Sequence, residues 1–199
     1  TSNRNGPLDP LYVFVFLGLF SPGPNVILLT ASGARFGFRA TLPHVLGVAA
    51  GVGVTAGLTG LGIGALLLRQ PVLTVFLKLV AAAWIAWMAW SLWRSSARGP
   101  ASARARPFTF VEAVLFQWVN PKVWAVALAA ASGYAAGLGP WGEAQRLAAA
   151  FSGINLAVCL FWSYAGSLLA LLLTTPAAWR VFARVMAAGL AGSGVMVFR

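Results

Sequence analysis

Acidic residues are scarce in this chain, where Asp9, Glu112 and Glu143 are the only three among 199 residues that contain 14 lysines and arginines. Cysteine and histidine occur once each. The sequence therefore has no cysteine pair for an intrachain disulfide, no cluster of metal ligands and no combination of paired carboxylates or nucleophile and base. We expect a protein that is not an enzyme and that uses no cofactor and no metal.

Apolar residues dominate what is present. Hydrophobic residues make up 60% of the chain and charged residues 9%, and the mean hydropathy is +0.83, which lies outside the range of soluble globular domains. The net charge of +11 does not indicate a nucleic-acid partner, because most basic residues separate apolar segments, as in loops beside anionic headgroups. We expect an integral membrane protein with lipid as a partner, and a homodimer is compatible with the sequence.

Six apolar segments reach the roughly 20 residues that a spanning helix needs; they cover 8–34, 41–68, 72–93, 109–133, 144–173 and 177–198. The sequence predicts an all-α membrane protein of six transmembrane helices. The polar stretch between 94 and 107 divides the chain into a three-helix repeat over 1–93, a basic linker and a second three-helix repeat over 108–199.

The two halves are related in sequence, since TVFLKLVAAAW at 74–84 aligns with RVFARVMAAGL at 180–190. The first segment of each half also contains proline at a similar offset, in Pro22-Gly23-Pro24 and in Asn120-Pro121. An odd number of helices per repeat makes the second copy enter the membrane from the opposite face. The pattern predicts the inverted repeats of secondary transporters, with a broken first helix in each repeat.

Loop charge predicts the orientation. One face receives Arg35, Arg39, Arg94, Arg98, Arg104, Arg106 and Arg180, whereas the other receives fewer, Arg4, Arg69, Arg146 and Arg199. The positive-inside rule places the 94–107 linker in the cytoplasm and both termini outside. This orientation reverses if the first segment is a re-entrant hairpin instead of a full span.

The proline breaks predict a binding site. Proline interrupts a helix, and freed backbone groups in hydrocarbon need partners, so the breaks are expected to face an interior cavity. Lys122 follows the second break, roughly 20 Å into its segment, at a depth where an unpaired cation costs about 3 kcal/mol. We expect the helix N-termini and this cation to bind a substrate carboxylate, with the substrate site formed by Pro22, Gly23, Pro24, Asn25, Asn120, Pro121, Lys122 and Asn155.

Four further residues are candidates for gating or proton coupling: Lys78, Arg184, Glu112 and His44. Lys78 and Arg184 are equivalent in the repeat alignment, and each also lies close enough to an interface for its charge to snorkel to water. His44 and Glu112 are titratable side chains near helix ends, where an interfacial structural role is the alternative to proton transfer.

Other interpretations stay open at this point. The prolines can be packing kinks, and Lys122 can be hydrated in a pocket with Gln117, Asn25 and Asn155 without any transported ligand. A passive channel or a lipid-handling membrane protein is the alternative function, because broken helices also line pores.

Three stretches resemble the LysE/RhtB family of amino-acid exporters, the lysine exporter superfamily: SPGPNVILLTASGARFGFRA, LTVFLKLVAAAWIAWMAWSLWR and FxxxxLFQWVNPKVW. The resemblance covers nearly the whole chain. It implies a six-helix protein of the bacterial inner membrane that exports amino acids or related metabolites and is driven by the proton gradient. The positions that match the family pattern are Pro22, Gly23, Pro24, Asn25, Gly47, Gly51, Lys78, Asn120, Pro121 and Lys122.

The chain also departs from the family pattern. Val52 and Cys159 stand where relatives carry acidic residues, and Trp84 and Trp87 replace tyrosines. A substrate ammonium group would lack a carboxylate partner, which favours neutral, apolar amino acids over basic ones.

Overall fold

The computed structural model describes residues 9–63, 69–98 and 106–195. Regular structure in these ranges is helical throughout, which confirms the all-α prediction. The helices are α1 (Pro10–Phe20), α2 (Pro24–Phe36), α3 (Phe38–Gly60), α4 (Pro71–Arg98), α5 (Phe110–Val119), α6 (Pro121–Gly133), α7 (Pro140–Leu169) and α8 (Pro176–Val195).

Both predicted breaks are present. Helix α1 ends at Phe20, the chain runs extended through Ser21 and Gly23, and α2 begins with Pro24 in its first turn. Helix α5 ends at Val119, Asn120 is extended, and α6 begins with Pro121. The axes bend by 59° at the first break and by 66° at the second. Pro24 and Pro121 each stand in the first turn of a new helix, where proline is accommodated, whereas Pro43 lies inside α3 without ending it.

Helices α3 and α7 are long and apolar enough to cross a membrane, and each bent pair qualifies if it is counted as one span. The described residues thus contain two to four candidate spans, and six spans remain a prediction. The order of elements recurs, with a bent pair followed by two long helices in each half of the chain.

Helix α3 is the centre of the packing, and its glycines set the distances to its neighbours. Gly53, Gly57 and Gly60 face Ser152, Ala148 and Ala144, so α3 runs antiparallel to α7. Gly47 and Gly51 face residues of α5 around Phe110 and Gln117, so α3 runs parallel to α5. Small residues allow these backbones to approach closely. The inverted repeat itself stays a prediction.

Some helix ends differ from the predicted segments. Helix α4 continues to Arg98, because RSSAR contains neither glycine nor proline before Gly99, whereas the predicted segment ended at 93. The division of the chain into two repeats joined by a basic linker stays a prediction. Helix α3 ends at Gly60, where Gly62 follows with φ of 86°, whereas the predicted segment extended to 68. Residues 64–68 and 99–105 lie outside the described residues.

The tightest helix crossing generates a prediction. Helices α2 and α7 cross where Gly33 meets the Ser163 backbone and Gly166 meets the Thr30 carbonyl, with no room for a Cβ at either glycine. We expect Gly166→Ala to lower the free energy of unfolding by about 1–3 kcal/mol, the usual cost of overpacking. Thermal unfolding in detergent measures the change.

Gly153→Ala in the same helix is the matched control, because a Cβ there meets no atom within 4 Å and alanine is favoured over glycine in a helix by about 0.5–1 kcal/mol. An equal loss of stability in both variants would contradict the packing role of Gly166.

Candidate functional site

The two breaks meet through Lys122. Its ammonium donates hydrogen bonds to the carbonyl of Ser21 and, at 3.3 Å, to the carbonyl of Pro22. These carbonyls follow the C-terminal end of α1, where unpaired backbone acceptors and the negative end of the helix dipole favour a cation. The lysine side chain also passes Gly23, at which a Cβ would lie 2.7 Å from Lys122 Cδ.

This contact refines the predicted role of Lys122. The sequence predicted a buried cation facing helix N-termini, but in the structure its hydrogen-bond acceptors belong to the C-terminal end of α1. These acceptors are neutral carbonyls, so they solvate the ammonium without cancelling its charge. The positive charge is therefore still available to an anion that can compete with the carbonyls.

The helices that begin at the breaks have first turns without a side-chain cap. Neither Gly23 at the start of α2 nor Asn120 at the start of α6 accepts a hydrogen bond from its helix through a side chain. By contrast, Thr109 and Glu112 form a complete capping box on α5. Uncapped first-turn amides bind anions. At α6 the Val123 N–H donates to the Asn120 carbonyl at 3.2 Å, and anion binding by the remaining amides stays a prediction.

Gln117 joins the two breaks beside Lys122. Its Nε2 donates to Asn25 Oδ1 at 3.2 Å and to the Ala113 carbonyl at 2.9 Å, and its Oε1 accepts from Asn25 Nδ2 at 2.8 Å and from Asn120 Nδ2 at 3.4 Å. Gln117 is fully buried. The predicted site residues did not include it. A polar residue in an apolar helix was the available signal for Gln117 in the sequence. Its partner could not be read from the sequence, because Asn25 lies 92 positions away.

Two buried amide atoms complete the polar region. Asn120 Oδ1 and Asn155 Nδ2 have no hydrogen-bond partner in the part of the chain that the structure describes. Asn155 lies one turn from Ser152 in α7, and the contacts of Ser152 with Gly53 place Asn155 at the level of Gly51. Gly51 in turn faces the side chain of Gln117. The helix register therefore places Asn155 at the same depth as the Asn25–Gln117 pair.

The structure places Glu112 and His44 away from the breaks. Glu112 caps α5 by accepting from the backbone and hydroxyl of Thr109, and it forms an ion pair of 2.8 Å with Arg106. The ion pair with Glu112 raises the pKa of Arg106 above its ordinary value. His44 is buried in α3, with its ring 5.0 Å from the ring of Phe108.

The repeat-related cations also lie elsewhere. Arg184 is exposed on α8, and its guanidinium carbon lies 5.2 Å from the ring centroid of Trp93. Lys78 is half-buried on α4, two turns from the start of that helix. The stacking of Arg184 on tryptophan agrees with the interfacial alternative for this residue.

The positions where the family pattern has acids are packed in the core. Val52 and Cys159 are fully buried within one hydrophobic cluster. Trp84 packs against the same cluster, with its ring 6.2 Å from that of Phe116. No group of three His, Cys, Asp or Glu side chains within the described ranges is placed to hold a metal ion.

Interrupted helices that meet at a partly buried cation within an apolar helical bundle define a class, the helical membrane transport proteins. The family described as LysE type translocator matches residues 16–199, and the chain belongs to this family. The resemblance drawn from the motifs is confirmed. No curated protein and no solved structure matches the chain. The protein is thus a multi-pass membrane protein of a transporter family.

The Asn25–Gln117 contact generates a prediction. In a double-mutant cycle with Asn25→Ala and Gln117→Ala, we expect a coupling energy of about 0.6–1.7 kcal/mol, the range of hydrogen bonds between membrane helices. Chemical denaturation in detergent measures the four free energies of unfolding. Asn25→Ala paired with Ser132→Ala is the control, because Ser132 bonds within its own helix, and these two changes should add without coupling.

Proposed function

We propose that the chain exports amino acids or related small carboxylates across the bacterial inner membrane. The observation that carries the proposal is the Lys122 ammonium at the meeting point of the two breaks, where its acceptors are neutral carbonyls. A carboxylate is a stronger acceptor for an ammonium than a carbonyl is, because both electrostatics and hydrogen bonding favour it. A substrate carboxylate is therefore expected to replace these carbonyls as the acceptor for the Lys122 ammonium.

The surroundings of Lys122 favour the same ligand group. The uncapped first turns of α2 and α6 add amide donors and positive dipole ends, and Asn155 Nδ2 is a further buried donor at this depth. Pro22, Pro24 and Pro121 act by ending or starting helices, so that backbone groups are free at this level. In this proposal they shape the site, and Lys122 and the amides bind the ligand.

The acidic residues of the chain are all engaged away from the breaks. Asp9 and Glu143 form ion pairs with Arg146 of 3.0 and 3.5 Å, and Glu112 pairs with Arg106. A substrate ammonium group therefore meets neutral acceptors such as Asn120 Oδ1 and no carboxylate. This favours amino acids with neutral side chains, since a second positive charge would approach Lys122 without compensation.

The orientation follows from the charge of the loops. With Arg35 and Arg39 in the cytoplasmic turn between α2 and α3, both termini are extracytoplasmic. Export against a concentration gradient needs an energy source, and we infer coupling to the proton gradient. His44 is the better candidate for proton transfer, because both carboxylate oxygens of Glu112 are bound by Arg106 and the helix cap.

The role of Lys122 is tested by transport into inverted vesicles. We expect Lys122→Met to reduce uptake of a neutral amino acid by at least about a hundredfold, because a charge-assisted contact worth about 3 kcal/mol is lost. Lys122→Arg keeps the charge and should retain part of the activity. Gel filtration and thermal unfolding verify that both variants fold.

Full transport activity in the folded Lys122→Met variant would show that Lys122 does not bind the substrate. Loss of discrimination between an amino acid and its amide in this variant would support the proposed carboxylate contact directly.

Coupling is tested in proteoliposomes with an imposed pH gradient and a panel of neutral, acidic and basic amino acids. We expect saturable, uphill transport of neutral amino acids that a protonophore abolishes. Flux that does not saturate and is independent of the gradient would identify a channel, and lipid scrambling by the protein in proteoliposomes without amino acids would identify a lipid-handling protein.

A further inference from the structure

A cavity lies at the far end of α2 from the break. It has a volume of about 200 Å³, is partly open to its surroundings, and is lined by α2, α3, α4 and the segment before α5. Arg35, in the last turn of α2, lines it, whereas the break precedes Pro24 at the start of the same helix. The rise of an α-helix separates these two positions by roughly 16 Å. The cavity is therefore distinct from the site at the breaks.

Arg35 provides this cavity with a cation that has no carboxylate partner in the described structure. The three acids of the chain are Asp9, Glu112 and Glu143, and the ion pairs they form are with Arg146 and Arg106. The contact shown for the Arg35 guanidinium is with the ring of Phe36, 4.9 Å from its centroid. A half-buried guanidinium without an acid has strong affinity for an anion, and its planar fork fits a carboxylate.

The walls of the cavity determine the rest of the ligand. Most of the lining is apolar, with Trp87, Met88 and Phe108 among its side chains, and Ser32, Ser91 and His44 add a few polar groups. Arg106 also lines the cavity, but its guanidinium is paired with Glu112 at 2.8 Å. The volume is smaller than the roughly 300–1,000 Å³ of sites for drug-sized ligands. A small molecule with one carboxylate and a short apolar group matches this space.

We propose that this cavity is a second binding site for small apolar carboxylates, in which Arg35 binds the carboxylate. If the proposed function and orientation hold, the site lies on the cytoplasmic side and receives the substrate before it reaches Lys122. Ligand binding to the cavity itself does not depend on transport. Because no carboxylate lines the cavity, the ligand needs no ammonium group here.

Binding to the purified full chain tests the proposal, with 4-methylpentanoate and L-leucine as probes and L-leucinamide as the probe without a carboxylate. Lys122→Met removes the site at the breaks and isolates the second site. In this background we expect both carboxylates to bind with similar affinity and the amide to bind at least about tenfold more weakly. Adding Arg35→Gln should weaken carboxylate binding by at least about tenfold, the loss of one charge-assisted contact.

Arg39→Gln is the matched control, because Arg39 lies nearby in the first turn of α3 and carries the same charge but is exposed and does not line the cavity. It should leave binding unchanged, and Arg35→Lys should restore part of the affinity. Ser91→Leu, which fills the cavity from α4, should also abolish binding and serves if Arg35→Gln does not fold. Equal effects of Arg35→Gln and Arg39→Gln, or binding of neither carboxylate, would overturn the proposal.

An anionic phospholipid headgroup has the same chemistry as a ligand for Arg35. In nanodiscs of zwitterionic lipid, adding anionic lipid should leave 4-methylpentanoate binding unchanged. If the anionic lipid competes with the probe, and this competition disappears in Arg35→Gln, the cavity binds a headgroup and the proposal is overturned. Arg35-dependent binding by a chain that transports no amino acid would refute the proposed function alone. Carboxylate binding that Arg35→Gln leaves unchanged, in a chain whose export needs Lys122, would refute the second site alone.

Discussion

The hydrogen bonds from Lys122 to the carbonyls of Ser21 and Pro22 solve two energetic problems of this fold together. An interrupted helix in hydrocarbon has unpaired carbonyl groups, each costing several kcal/mol if unsatisfied, and an unpaired cation at the same depth costs about 3 kcal/mol. The ammonium gives the carbonyls donors, and the carbonyls give the ammonium acceptors. Each feature makes the other tolerable, so this contact stabilises both breaks.

The rest of the bundle holds this contact in place. Helix α3 touches α5 and α7 through glycines, with Gly51 against Gln117 and Gly53 against Ser152. Gln117 is bonded to Asn25 across the breaks. The depth of the polar groups is thus fixed by backbone packing, which deforms little, and the lysine itself is the long and flexible element of the site.

The sequence was sufficient for the features with a local cause. Pro24 and Pro121 mark the starts of new helices, as their motifs predicted, although Pro43 does not interrupt α3. The apolar segments predicted the start of α3 and both ends of α7 to within about one turn, whereas α3 ends earlier than predicted. The acceptors of Lys122 could not be predicted, because a four-carbon side chain reaches either end of a break, and 101 positions separate it from Ser21. The capping role of Glu112 was predictable, since Thr109-x-x-Glu112 is the sequence pattern of a capping box and the structure shows one.

The selectivity proposed for this chain is better explained by its acids than by its cations. Arg146 engages Asp9 and Glu143, and Arg106 engages Glu112, so Lys122 at the breaks and Arg35 at the cavity have no compensating carboxylate. Val52 and Cys159, which the resemblance aligns with acidic positions, are buried in the hydrophobic core. Under the proposed function, a substrate with a cationic side chain would lose hydration beside Arg35 or Lys122 and gain no ion pair there. Discrimination against basic amino acids would then need no separate selectivity filter, because no negative charge is present to bind them.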